Sequence, residues 1–153
     1  MKFSRVKVFL SFGFLAIIAM AVLLIERSDS GEIELKLKHN NSDIINSGKE
    51  IYATNCASCH GVDLGGQPDW RTRKENGALP APPHDETGHT WHHSDALLID
   101  LTKRGPKSIA GPDYITDMPA YDSILSDNEI IAVLSYIKST WPEKIRKRHD
   151  GLK

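Results

Sequence analysis

The two cysteines of the chain, Cys56 and Cys59, stand three positions apart with a histidine directly after the second, in the run Cys56-Ala57-Ser58-Cys59-His60. Four chemistries compete for thiols at this spacing. A disulfide would close so short a loop that it constrains the unfolded chain little. A dithiol redox pair belongs with a strand–helix–strand pattern, which the sequence lacks. A zinc site could add another histidine to Cys56, Cys59 and His60, but zinc sites usually space their second ligand pair differently. Covalent c-type haem attachment uses every residue of the motif. Each thiol bonds one vinyl group as a thioether, and His60 is delivered under the iron as an axial ligand. The motif predicts one covalent haem c.

A second iron ligand should then stand elsewhere. Of the three methionines, Met1 is the start and Met20 lies in an apolar run. Met118 remains, in the loop "TDMPAYD", where Pro119 removes a backbone donor and stiffens the approach. Its plain alternative is core packing. A thioether opposite imidazole raises the reduction potential. The other histidines are His39, His84, His89, His92, His93 and His149. The run "HDETGHTWHH" reads as polar loop, bonded to haem propionates or facing a partner. Replacement of Met118 by one of its four histidines would give bis-histidine iron at lower potential.

Three helices must position these residues. Ser42 to Asn55 has Ser42 or Asp43 to cap it, and Ile44, Gly48, Ile51 and Tyr52 on one face. Glycine inside a helix costs about 1 kcal/mol against alanine, so Gly48 calls for close approach of another helix. "SDALLIDLTKRG" has Ser94 as N-cap, Asp95, Lys103 and Arg104 complementing the helix dipole, Gly105 as C-cap, and Leu97, Leu98 and Leu101 as its buried face. "SDNEIIAVLSYIKSTW" opens on a capping box of Ser126 and Glu129 and places Ile130, Leu134, Ile137 and Trp141 on one side, with Pro142 as its stop. Residues 61–93 and 106–125 are loop. The expectation is an all-α domain with a thin peptide core and a large ligand among its loops.

Two appendages flank residues 42–141. Residues 1–7 carry Lys2, Arg5 and Lys7, and Val8 to Ile25 has neither charge nor proline. Its length and positive flank predict a single transmembrane helix at 8–25 with residues 1–7 in the cytoplasm and the domain exported. A cleaved signal peptide ending at "AMA", Ala19 to Ala21, is the rival reading. Residues 26–41 read as a polar linker, and 142–153 as a basic tail, solvated or docked on a partner or lipid headgroups. Residues 27–141 carry 11 basic and 17 acidic side chains. No basic field for nucleic acid exists across the domain.

"CASCHG", Gly48 and Tyr52 before it, "MPAY", and Val133, Tyr136 and Ile137 in the last helix resemble the class I cytochromes c over Asp43 to Trp141. The resemblance implies the cytochrome c fold, with the first and last helices crossing near perpendicular. It also implies a proline carbonyl, from Pro82 or Pro83, bonded to the ring N–H of His60. "QPDWRT" and the anchor are similar to membrane-attached bacterial monohaem cytochromes. The loop between His60 and Ser94 is longer than the family's usual one.

These readings converge on an electron carrier, not an enzyme, held at the bacterial cytoplasmic membrane with its haem domain on the periplasmic side. Its partners would be membrane or periplasmic redox proteins: an oxidase, a dehydrogenase or a quinol-oxidising complex. The acidic domain suits a partner with a basic patch. One alternative is a haem-bearing subunit of a larger complex. Another is a haem enzyme with an open distal site, using His84, His89 or His92 as acid and base.

Overall fold

The computed structural model describes residues 35–152. The predicted anchor at 8–25 and the cytoplasmic residues 1–7 lie outside them. Among the described residues there is no strand, and no helix is long and apolar enough to cross a membrane. The elements are α1 Ser42–Asn55, α2 Ala57–His60, a 3₁₀ turn Thr90–His92, α3 Asp95–Arg104, α4 Lys107–Ala110, α5 Asp127–Thr140 and α6 Glu143–Asp150.

Helices α1 and α5 form the frame. A Cβ added at Gly48 would stand 2.0 Å from the Ala132 carbonyl oxygen. The two backbones therefore touch, and only glycine lets them. One turn on, the rings of Tyr52 and Tyr136 meet at 5.5 Å. The buried stripe of α5 holds Ile130, Leu134 and Ile137, and Trp141 caps the helix end. The Ser126–Glu129 capping box is formed in both directions.

Some local readings differ. The cap of α1 is Asn41, whose side chain accepts from the N–H groups of Asp43 and Ile44. On α3, Leu98, Ile99 and Thr102 are buried, whereas Leu97 and Leu101 are half-buried. Ser94 and Gly105 cap this helix as the sequence suggests.

Within the described residues, Leu37, Lys38 and the tail beyond Pro142 are more tightly held than a linker and a solvated tail would be. Leu37 is buried; its N–H donates to Asp95 Oδ2 at 3.0 Å, and that of Lys38 to Ser135 Oγ at 2.8 Å. Beyond Pro142 the tail folds as α6. The reason lies in α5, where Lys138 is 1% exposed and pairs with Asp150 of α6 at 2.6 Å and Asp95 of α3 at 3.5 Å. A buried ammonium is tolerated only with such partners. His149 is buried against Trp141, and Arg146 donates to the carbonyl of Trp141.

Candidate haem site

The site begins where α1 ends. Cys56 is the C-cap of α1 and N-cap of α2, so both thiols and His60 lie within one tight turn, with His60 N–H bonded to the Cys56 carbonyl at 2.9 Å. Cys56 and Cys59 form no disulfide with each other. Burial, with Cys59 adding to it, pushes the Cys56 thiol up to about 11. Tyr52 Oη donates to the Gly61 carbonyl at 2.9 Å and so ties the far side of the turn back to α1. Gly61 itself has φ +82°, a conformation that closes α2.

His60 is buried, and its Nδ1 lies 2.8 Å from the Pro82 carbonyl oxygen. A carbonyl only accepts, so the proton sits on Nδ1 and the Nε2 lone pair is left for a metal. Burial lowers the pKa of His60 and the Pro82 bond opposes that shift. The Pro83 carbonyl faces Gly88 instead, close enough that a Cβ there would stand 2.0 Å from it. Pro82 is brought to His60 by a loop folded back on itself. Gly66 N–H donates to the His60 carbonyl, Gln67 N–H to Ala81, and His84 N–H to Leu64. Gly66, at φ +71°, lies against the Pro82–Pro83 backbone with no room for a side chain.

A cavity of about 380 Å³ opens beside this turn, lined by Cys56, Cys59 and His60. Met118 and Pro119 line it as well, and Leu98, Leu101, Val133 and Ile137 supply apolar wall. The Met118 loop is held at several points. Met118 N–H donates to Thr116 Oγ1, Asp117 pairs with Lys74 at 3.0 Å, and Tyr121 N–H reaches the carbonyls at the end of α3. Tyr121 Oη donates to the Asn55 carbonyl at 2.7 Å. Two thiols, a neutral imidazole, a thioether and an apolar wall around one cavity fit the donor set and the dry surroundings that a covalently held haem needs.

The histidines of the long loop part company. His84, His89 and His93 line the cavity. His89 stacks on Trp70 at 5.4 Å, and burial lowers its pKa. His92 is exposed and stacks on Trp91. Among the described residues no group of three or more His, Cys, Asp or Glu side chains is arranged to hold a separate metal ion. Sequence reasoning missed the stacking of His84 on His60 and the Tyr52–Gly61 bond, because neither leaves a mark in residue spacing.

The family model of cytochrome c matches residues 45–141. The chain belongs to the cytochrome c family. Membership brings covalent haem c, for which Cys56, Cys59 and His60 fit the attachment motif, and electron transfer at the haem iron. This cytochrome matches no curated protein and no solved structure.

Proposed function

We propose that this cytochrome carries a single haem c with His60 and Met118 as axial ligands and passes single electrons between redox proteins at a membrane. The observation that carries the reading is the pair of facts at one cavity: His60 Nδ1 is engaged by Pro82, and Met118 lines the same space. When bound, haem c supplies a one-electron Fe(III)/Fe(II) couple. The chain's own part is to anchor, orient and dry that couple. Cys56 and Cys59 provide the two thioethers. Pro82 holds His60 in one tautomer, so that Nε2 is the free nitrogen. Pro119 and Tyr121 hold Met118 in reach. The apolar faces of α3 and α5 keep water out, which limits the reorganisation that accompanies each charge change. With His60 and Met118 both holding the iron, no substrate would have to bind the metal.

The apolar run 8–25, with its cationic flank, supports a single-pass anchor, N-terminus inside, with the haem domain on the periplasmic side of a bacterial membrane. Anchoring confines diffusion and raises the effective concentration at membrane oxidoreductases. The acidic excess of residues 27–141 favours partners with a basic patch: an oxidase, a dehydrogenase or a quinol-oxidising complex.

Carbon monoxide binding by the reduced protein tests the ligand assignment. Wild type should bind it slowly and Met118→Ala readily. Ready binding by wild type, or no difference between the two, would move the cavity histidines His89 and His93 forward as distal groups of a haem enzyme.

A further inference from the structure

His84 is not accounted for by attachment, by the proposed ligands or by the apolar wall. Its ring lies face to face on the ring of His60, with centroids 3.8 Å apart and planes within 17°. The surroundings hold it there. Its N–H donates to the Leu64 carbonyl at 2.7 Å, and its own carbonyl accepts from the Trp141 indole at 2.7 Å. The Tyr52 ring meets it edge-on at 5.9 Å. Its Nδ1 is buried and has no hydrogen-bond partner among the described residues. An unpaired buried ring nitrogen costs free energy that an apolar side chain of similar size would avoid. The contact that this ring does make is the one between its flat face and His60.

We infer that His84 is a positioning residue for His60, its stacked imidazole fixing the plane of the ring that Pro82 holds by one edge. The inference rests on His60 being an axial ligand. A hydrogen bond at Nδ1 weakens steeply only once its angle falls below about 120°, so by itself it leaves the ring room to swing. A parallel ring against the face of His60 opposes that swing, because tilting the ring drives its edge into the neighbour. Groups around a metal-bound histidine set its orientation in this way. With haem bound, the plane of the His60 imidazole would contribute, together with the Met118 thioether, to how unpaired spin spreads over the haem methyl groups in the ferric state. The orientation can therefore be read without any assay of electron transfer.

The test is proton NMR of the oxidised, intact holoprotein as wild type, His84→Leu and His84→Phe. The leucine variant should stay six-coordinate and low-spin but show a changed spread of haem-methyl shifts. The phenylalanine variant, which keeps a flat face, should return toward the wild-type pattern. An unchanged pattern in His84→Leu, or a phenylalanine variant that matches leucine, overturns the inference. Wild type alone also decides. Ring protons of His84 and His60 should show mutual Overhauser contacts. Their absence, in a protein whose His60 ring carries the paramagnetic shift of an iron ligand, overturns the inference even if neither variant assembles. A His60 ring without that shift overturns the ligand assignment beneath it.

Discussion

Tyr121 and Asn55 join the two ends of the haem site across 66 positions of sequence, through a hydrogen bond of 2.7 Å from the tyrosine hydroxyl to the asparagine carbonyl. Asn55 directly precedes Cys56, and Tyr121 closes the loop that carries Met118. The bond therefore couples the attachment side of the cavity to the thioether side. Tyr121→Phe should lose about 1 kcal/mol in chemical denaturation. It should also speed the binding of added imidazole to the oxidised protein. A variant that loses stability while its imidazole kinetics stay unchanged would show that the bond serves the fold and not the Met118 loop.

Gly48 is the point at which α1 and α5 touch. A methyl group there meets the Ala132 carbonyl at 2.0 Å, and backbone on both sides leaves nothing flexible to yield. Gly48→Ala should cost about 3 kcal/mol or more, at the upper end of overpacking effects. Guanidinium unfolding of the holoprotein reads it. A loss below about 0.5 kcal/mol, within the range of ordinary surface changes, would mean that the helices cross farther apart.

How far the sequence discloses this arrangement depends on the range of the interaction. The α5 capping box, Ser94, Gly105 and the Gly48 contact announce themselves because helix grammar is local or, for Gly48, because a misplaced glycine demands a neighbour. Asn41 is hidden by Ser42 and Asp43, which are equally able caps. Leu37 and α6 are hidden for a different reason. The segments that carry them are mostly polar, and each is held by α3 or α5; Lys38, for example, bonds Ser135 at a separation of 97 positions. The attachment motif is legible in five residues, whereas the stack of His84 on His60 depends on a fold-back of the loop through Leu64 that no spacing predicts.

Lys138 and Asp150 show what the docked tail contributes. Asp150→Ala would leave a buried ammonium with Asp95 alone at 3.5 Å, while Lys138→Met removes the buried charge and leaves Asp150 free to meet water. Taking a partner from a buried charge costs up to about 3–5 kcal/mol, less here because the Asp150 side chain is itself 45% exposed, and replacing the charge by an apolar side chain costs far less. Asp150→Ala should therefore be the more destabilising of the two in denaturant titrations. The reverse order would mean that α6 is held by apolar contacts alone.

Tail docking should weaken in acid. Burial lowers the pKa of His149 below its ordinary 6.5; Lys138 adds to the shift, and Asp95 and Asp150 oppose it. The folded value lies below the unfolded one. The stabilisation is thus complete above pH 6.5 and is lost as pH falls toward the folded value. His39, whose pKa burial also lowers, acts in the same direction. Hydrogen exchange of α6 amides, corrected for intrinsic rates, should accelerate from about pH 7 to about pH 5. His149→Phe should flatten the trend. An equal acceleration in that variant would assign it to other groups.

Met118 is proposed to complete the iron coordination opposite His60. The most direct measurement is the absorption spectrum of the oxidised holoprotein at the red end, where a methionine–iron(III) charge-transfer band falls. That band should appear in wild type and vanish in Met118→Ala, with the haem still covalently attached in both. Its absence from wild type, or its persistence in Met118→Ala, would rule out Met118 as the ligand.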